Sequence, residues 1–447
     1  MPQNPQQTGS AAETSGEGLV RGIRRWDLVA VTINGIIGAG IFGLPSKVYG
    51  LIGAYSLIAF VVCGLVVMLI ILCFAEVGSR FNETGGPYLY AREAFGPTVA
   101  FEVGWLIWLA RLTAFAANCN LMVSYLSFFW APANSGITRA AIIVFVVLAL
   151  TALNVLGVRQ AAIASNIFTI GKLVPMLIFI AFGLFFLNPH AFTLGARPST
   201  GAFSQSVLLL LYAFTGFEMA VIPAGEIRNP QRDLPRALLI AMAVIASTYI
   251  LIQVVCIGTL PGLAKSTKPL ADAGQLFMGT AGAAIISAGA IISVAGNLNI
   301  TVLSASRVPF AIAEQKQLPS FLARVHRRFF TPHISIVITT ALMLALTLKS
   351  SFVAALTIST IARLVAYGVT CAALPVLRRK ADMPSAHFRL RGGPVIAVAA
   401  LLLAVWLLLN STLYEAIATT IAAAVGLALY STYRVAESYK ERRRGRI

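Results

Sequence analysis

Long runs of apolar residues, separated by short charged or Pro/Gly-containing segments, recur along almost the whole chain. Val61–Phe74, Ala140–Leu153, Val174–Leu187 and Ile396–Leu409 are almost wholly apolar. Each sits inside a stretch of about 20 residues, the length of helix that crosses a bilayer core. Cutting the chain at its charged, proline and glycine-rich segments predicts about twelve membrane-spanning helices. They fall near 26–48, 53–80, 98–128, 138–157, 161–187, 203–227, 236–259, 276–314, 332–349, 353–377, 393–411 and 414–433. The Glu226–Arg236 segment between spans 6 and 7 carries Asn229-Pro230 and Leu234-Pro235, which are turn and helix-start signals.

Composition excludes a soluble fold. Of 447 residues, 58% are hydrophobic and 11% charged, whereas a soluble domain carries roughly 25% charged residues. The net charge of +18 is topological. Of 34 Lys and Arg, 25 fall in alternate segments that share one side, six on the other side, and three (Arg111, Lys172 and Arg363) within spans. That asymmetry is the positive-inside pattern. It predicts a plasma (inner) membrane protein with both termini in the cytoplasm and gives no support to nucleic-acid binding. Residues 1–20 read as a disordered cytoplasmic tail, 21–433 as the membrane domain, and 434–447 as a basic cytoplasmic tail. The five cysteines lie in or near spans without zinc-ligand spacing, and no metal or cofactor is predicted.

Two spans are interrupted in their middles. Span 1 reads Thr32-Ile-Asn-Gly-Ile-Ile-Gly-Ala-Gly-Ile-Phe-Gly-Leu-Pro45, with four glycines in nine residues, each about 1 kcal/mol poorer than Ala in a helix. Unwinding near Ile37–Ile41 would free amides at the start of a second half-helix, where the positive dipole end suits a carboxylate. Small-residue packing is the other reading, because Gly35, Ala39 and Gly43 recur every four residues. Span 6 carries Tyr212-Ala-Phe-Thr-Gly-Phe-Glu218, followed by Pro223 and Gly225. Glu218 is an intramembrane carboxylate, and such groups are rare and usually functional; a purely structural acid, bonded to backbone, is the alternative. Paired interruptions in corresponding halves point to an inverted-repeat transporter.

Gly38-Ala-Gly-Ile-Phe42 resembles the Gly-x-Gly-Ile/Val-Phe signature of the amino acid–polyamine–organocation superfamily. Ala75-Glu-Val-Gly-Ser-Arg80, Gly85-Gly-Pro-Tyr88, Asn229-Pro230 and Ser304-Ala-Ser-Arg307 match its further landmarks in order, over roughly residues 24–380. The resemblance implies an all-α fold with a 5+5 inverted repeat, about 24–187 and 203–378. Spans 1 and 6 would be broken, and two extra C-terminal helices would occupy 393–433. It also implies that a substrate carboxylate meets the amides around Ala39 and Gly40, within Ile36, Ile37, Gly38, Ala39, Gly40 and Ile41. The α-ammonium would meet carbonyls near Ile36, Tyr212 and Thr215. Many relatives have Ser in place of Ala39, so one hydroxyl donor is missing. Phe214, Gly216 and Phe217 complete the expected span 6 side of the pocket, and Asn297 on span 8 is placed nearby, with a neighbouring helix as its other possible partner.

The intramembrane charges carry the remaining chemistry. Lys172 lies about a dozen residues from Arg159, two-thirds of a span, too deep to snorkel to the boundary. Its segment resembles the L-type amino acid transporter branch and related proton-coupled permeases, which implies that its ammonium replaces a bound sodium ion. Glu218 and Lys172 are the two candidates for coupling protonation to transport, since burial favours the neutral form of either. Arg111 falls where several L-type relatives carry arginine, and Ala362-Arg363 with Leu377-Arg378 resembles the cystine/glutamate exchanger branch in spacing. Either arginine could meet a substrate's distal carboxylate; the structural reading pairs one of them with Glu102 or with helix-end carbonyls.

An enzyme is disfavoured. His190, His326, His333 and His387 fall in predicted loops, and no His-Glu-x-x-His or Gly-x-Ser-x-Gly motif occurs. The resulting expectation is a sodium-independent secondary transporter of amino acids, working as a proton symporter or an exchanger. A non-transporting sensor of the same fold and a carrier of polyamines or other organic cations are the alternatives. Amino acid, lipid bilayer and protons are the expected partners, and the oligomeric state is open.

Overall fold

The computed structural model describes residues 23–83, 85–156, 158–222, 224–329 and 331–444, with the backbone alone for 158–170, 226, 352 and 436–444. The expected tail at 1–20 and Pro223 lie outside the described residues. Fifteen α-helices account for twelve spans among the described residues. Span 1 is α1 (Arg25–Ile36) and α2 (Gly40–Ile52), and span 2 is α3 (Ser56–Gly78). After the short α4 (Pro87–Phe95), spans 3 to 5 are α5 (Pro97–Leu126), α6 (Gly136–Leu156) and α7 (Val158–Gly183). Span 6 is α8 (Thr200–Phe214) with the single turn α9 (Glu218–Val221), and span 7 is α10 (Pro230–Thr259). Span 8 is the long part of α11 (Pro269–Glu314); α12 (His333–Lys349), α13 (Phe352–Arg379), α14 (Gly393–Leu409) and α15 (Leu413–Arg444) complete the set.

Eight helical stretches are long and apolar enough to cross a membrane, one of them running through the second half of span 1 and span 2, and three shorter apolar helices supply the rest. Their outward faces are greasy. Leu65, Phe145, Leu402 and Leu409 are each more than 60% exposed, a surface that lipid accepts and water does not. This is a multi-pass membrane protein.

One feature recurs in both halves. Span 2 is followed by α4, opened by Pro87 and closed by Gly96 at φ 91 before span 3. Span 7 is followed by the first part of α11, opened by Pro269 and closed by Gly279 at φ 65 before span 8. Both glycines occupy backbone conformations that side-chain-bearing residues avoid. Spans 1, 2, 6 and 7 pack together, and spans 3, 4, 8 and 9 form a second group; spans 5 and 10 touch both.

Three boundaries depart from the sequence reading. Span 7 begins at Pro230 rather than near 236, so Pro235 is inside the helix, one turn past its start, where it removes the amide that would bond the Gln231 carbonyl. Span 8 gains the α4-like segment before Gly279. The last helix runs past the predicted end of span 12, so that the basic segment from Arg434 continues α15 to Arg444.

Glu76, near the end of span 2, anchors the connection between spans 10 and 11. Arg378 donates from Nε and Nη2 to its two oxygens at 2.6 Å each, and the Leu390 amide adds a third bond at 2.9 Å. Arg80 donates to the Pro384 carbonyl at 2.9 Å. The Glu-x-x-x-Arg spacing places both side chains on one face of span 2, where they hold the loop that leads to the added helices.

Candidate functional site at the two helix breaks

The first break covers Ile37–Ala39, shorter than the expected Ile37–Ile41, because Gly40 and Ile41 already belong to α2. Ile37 is extended, at φ −73 and ψ 93. The break leaves carbonyls at the end of α1 and amides at the start of α2 without intrahelical partners. Lys172 on span 5, fully buried, donates through Nζ to the Asn34 carbonyl at 3.2 Å and the Ile37 carbonyl at 2.9 Å. An ammonium in an apolar interior needs acceptors, and the negative end of a half-helix provides them.

The opposite side of the break is met by side-chain amides from the second helix group. The Ala39 amide donates to Asn118 Oδ1 at 2.9 Å, and Tyr212 Oη donates to the same oxygen at 3.0 Å. Asn118 Nδ2 donates to Asn297 Oδ1 at 2.6 Å, and Asn297 Nδ2 donates to the Gly35 carbonyl at 3.0 Å.

The second break covers Thr215–Phe217, with Gly216 at φ 116. Here the two broken helices touch through their backbones. A Cβ on Gly35 would lie 2.9 Å from the Gly216 carbonyl oxygen, and one on Gly40 would lie 2.6 Å from the Ala213 Cα. A Cβ on Gly216 would collide with the Gly35 carbonyl. The glycines therefore serve both readings made of them: they break the helix, and they let the two breaks meet.

Glu218, fully buried, closes the second break and lies at the centre of a charged hub. Its Oε2 accepts from the Gly216 amide at 2.9 Å and from Tyr367 Oη at 2.5 Å. Its Oε1 lies 3.4 Å from Arg363 Nε and 4.0 Å from Arg111 Nη2. Arg363 also donates to Thr215 Oγ1 at 2.5 Å, and Arg111 donates to Ser304 Oγ. The expectation that an arginine pairs with Glu102 is corrected. Both arginines turn to Glu218, while the Glu102 carboxylate oxygens have no hydrogen-bond partner among the described residues. The reason is position: Glu102 lies more than two turns along span 3 from Arg111, whereas Glu218 sits where spans 3, 6, 8 and 10 converge.

A small cavity between the breaks is lined by Gly35, Ile36, Gly38, Gly40, Ala114, Asn118, Tyr212, Thr215, Met219, Asn297 and Arg363. Ile37, Ala39 and Ile41 have buried side chains outside that lining. Phe214 and Phe217 are corrected as pocket residues. Phe214 packs 5.1 Å from Tyr249 and 6.4 Å from Phe60, and Phe217 packs 5.1 Å from Phe74 and 4.9 Å from Tyr367 (ring centroids). Two residues along a helix turn a side chain by about 200°, so Tyr212 and Phe214 face opposite ways. Lys172 and Glu218 act on the breaks from behind the cavity, Arg111 stands beyond Glu218, and Arg363 reaches the lining itself. The sequence reading missed Asn118, Met219 and Ala114. Asn118 had a signal: it is a polar residue seven positions from Arg111, hence on the same face of span 3.

Residues 23–432 match the family described as amino acid permease. The chain belongs to the amino acid permease family. The permease is 32% identical to a serine/threonine exchanger, SteT, of Bacillus subtilis, over 76% of this chain and 79% of that one. It is 28% identical to the branched-chain amino acid permease BcaP of the same organism, over 94% and 95% of the two chains. A methylthioribose transporter, also of Bacillus subtilis, is 26% identical over 95% of each. The permease is thus a transporter and not an enzyme, built on the all-α fold with two broken helices described above.

Proposed function

We propose that this permease is a sodium-independent secondary transporter that moves neutral amino acids across the cytoplasmic membrane by alternating access. The observation that carries the reading is Lys172, whose ammonium occupies the carbonyl end of the span 1 break at 2.9 and 3.2 Å. A fixed cation of the chain there does what a bound metal cation would otherwise do, so no sodium ion is required. The substrate α-carboxylate is assigned to the amides of Ala39, Gly40 and Ile41 at the positive end of α2. The α-ammonium is assigned to the carbonyls around Gly35, Ile36 and Tyr212. The side chain then points towards Ala114, Thr215, Met219 and Arg363, a short and mixed lining that suits small or medium side chains.

Charge argues against polyamines and cationic amino acids. Two guanidiniums share one carboxylate beside the cavity, and Arg363 lines it, so a second cation would be repelled at short range in a low dielectric. Two of the relatives carry names for neutral amino acids, which supports the same choice. Lys172, rather than Glu218, is assigned to coupling. Its bonds to the broken helix weaken when its ammonium loses its charge, whereas Glu218 is held by two arginines, a tyrosine and an amide. The clustering of basic residues supports a cytoplasmic position for both termini.

The test is uptake of a labelled amino-acid panel into proteoliposomes, with and without sodium, a pH gradient and internal unlabelled substrate. Uptake of serine, threonine or branched-chain amino acids that ignores sodium is the expected result. A requirement for sodium, or preference for arginine, lysine or putrescine, would overturn the proposal.

A further inference from the structure

Two of the backbone groups assigned to substrate at the first break, the Ala39 amide and the Gly35 carbonyl, are already bonded by side chains of the second helix group. The assignment of atoms in that network is forced. The Ala39 amide can only donate, so Asn118 turns its oxygen to it at 2.9 Å; the Gly35 carbonyl can only accept, so Asn297 turns its nitrogen to it at 3.0 Å. The remaining nitrogen of Asn118 then meets the remaining oxygen of Asn297, at 2.6 Å. Together the two amides present an acceptor to the amide end of the break and a donor to its carbonyl end. An α-amino acid presents the same pair, as carboxylate and ammonium. The fit depends on Gly38, where a Cβ would press on Asn297 Cγ and Nδ2 at 3.2 Å and on Asn118 Oδ1 at 3.3 Å. Both asparagines are more than nine-tenths buried and line the cavity.

We propose that Asn118 and Asn297 form an internal stand-in for the substrate, holding its α-carboxylate and α-ammonium positions between transport events and yielding them when it binds. The inference rests on the amino acid site proposed above. Its consequence concerns the mode of transport. A carrier that turns over without cargo must carry the polar groups of its break through a buried state, and unpaired polar groups are destabilising there. With the stand-in, those groups stay bonded, so the permease returns unloaded and performs net uptake as well as exchange. Without it, return is fast only with cargo, and the carrier drifts towards obligatory exchange. Because the pair sits on spans 3 and 8 and grips span 1, it also ties the two helix groups together during that return.

The experiment uses the full chain in proteoliposomes, with labelled L-threonine and, in parallel, labelled L-isoleucine as probes. Initial uptake at saturating external substrate is measured into vesicles loaded with buffer (net uptake) or with the same unlabelled amino acid (exchange). The wild type should show net uptake within about fivefold of exchange. In Asn118→Ser and Asn297→Ser, the ratio of net uptake to exchange should fall by on the order of tenfold, whatever happens to either rate alone. A lost substrate contact would slow both modes together and leave the ratio alone, so an unchanged ratio in both variants overturns the stand-in. So does a wild type that exchanges but shows no net uptake. If a variant carries no flux in either mode, hydrogen–deuterium exchange over residues 37–43 decides. Exchange faster than wild type that millimolar threonine slows again supports the stand-in, and exchange equal to wild type overturns it. Failure of the wild type to carry any amino acid would instead sink the transport reading, and it is seen before any variant is made.

Discussion

Lys172 and Glu218 are both fully buried charges set against a helix break, yet their surroundings differ. Lys172 is the cation at the first break, and its described bonds go to two backbone carbonyls. Lys172→Met keeps the length and removes the donor, leaving those carbonyls without it. Amino acid uptake should drop by about ten- to a hundredfold, since each lost charged hydrogen bond is worth roughly 1.5–3 kcal/mol. Wild-type uptake in that variant would remove Lys172 from the mechanism. Glu218 is a counter-charge for Arg111 and Arg363. Glu218→Gln leaves two guanidiniums buried together, a loss of about 3–5 kcal/mol when one partner of a buried pair is removed. Its melting temperature in detergent should fall well below that of the wild type, while any remaining transport keeps its pH profile. A stable Glu218→Gln protein whose transport loses its pH dependence would make Glu218 the proton carrier after all.

Among the elements, the broken helices are where sequence was most and least informative. The interruptions themselves were legible, because glycines and an acid in the middle of a span have no place in a lipid-facing helix. Their contents were not. Which way Phe214 points follows from the rotation of α8 against spans 2 and 7, and the direction of Phe217 follows from the break itself; hydropathy carries no phase for a helix that is apolar all round. Asn118 was legible only through its spacing from Arg111, since hydropathy marks no polar face on that span. The partners of Arg111 and Arg363 were missed because four spans far apart in sequence converge on Glu218. The contact between the breaks yields its own prediction. Gly216→Ala would place a methyl against the Gly35 carbonyl on a backbone at φ 116, costing about 1–3 kcal/mol in strain alone. Expression and thermal stability should both fall, whereas Gly195→Ala, with nothing within 4 Å, should behave as wild type. Equal stability of the two variants would contradict the packing of span 1 on span 6 described here.

At the scale of the molecule, the order of spans and their membrane character were readable from apolar runs and turn signals alone. The pseudo-symmetry was readable only in part: the matched helices α4 and the start of α11 are too short and too polar to register as spans. What the symmetry builds is a site between two helix groups, with a cation from span 5 at one break and an arginine from span 10 at the other. Lys172 is the part of that design with the sharpest consequence for the whole carrier, since the proposed function has its ammonium stand in for a bound metal cation. The most direct measurement is initial amino acid uptake by the wild-type permease in proteoliposomes, with external sodium replaced by choline at constant ionic strength and pH. Rates equal within error in the two media are predicted. Uptake that falls several-fold without sodium, and is restored when sodium is returned, would contradict the account.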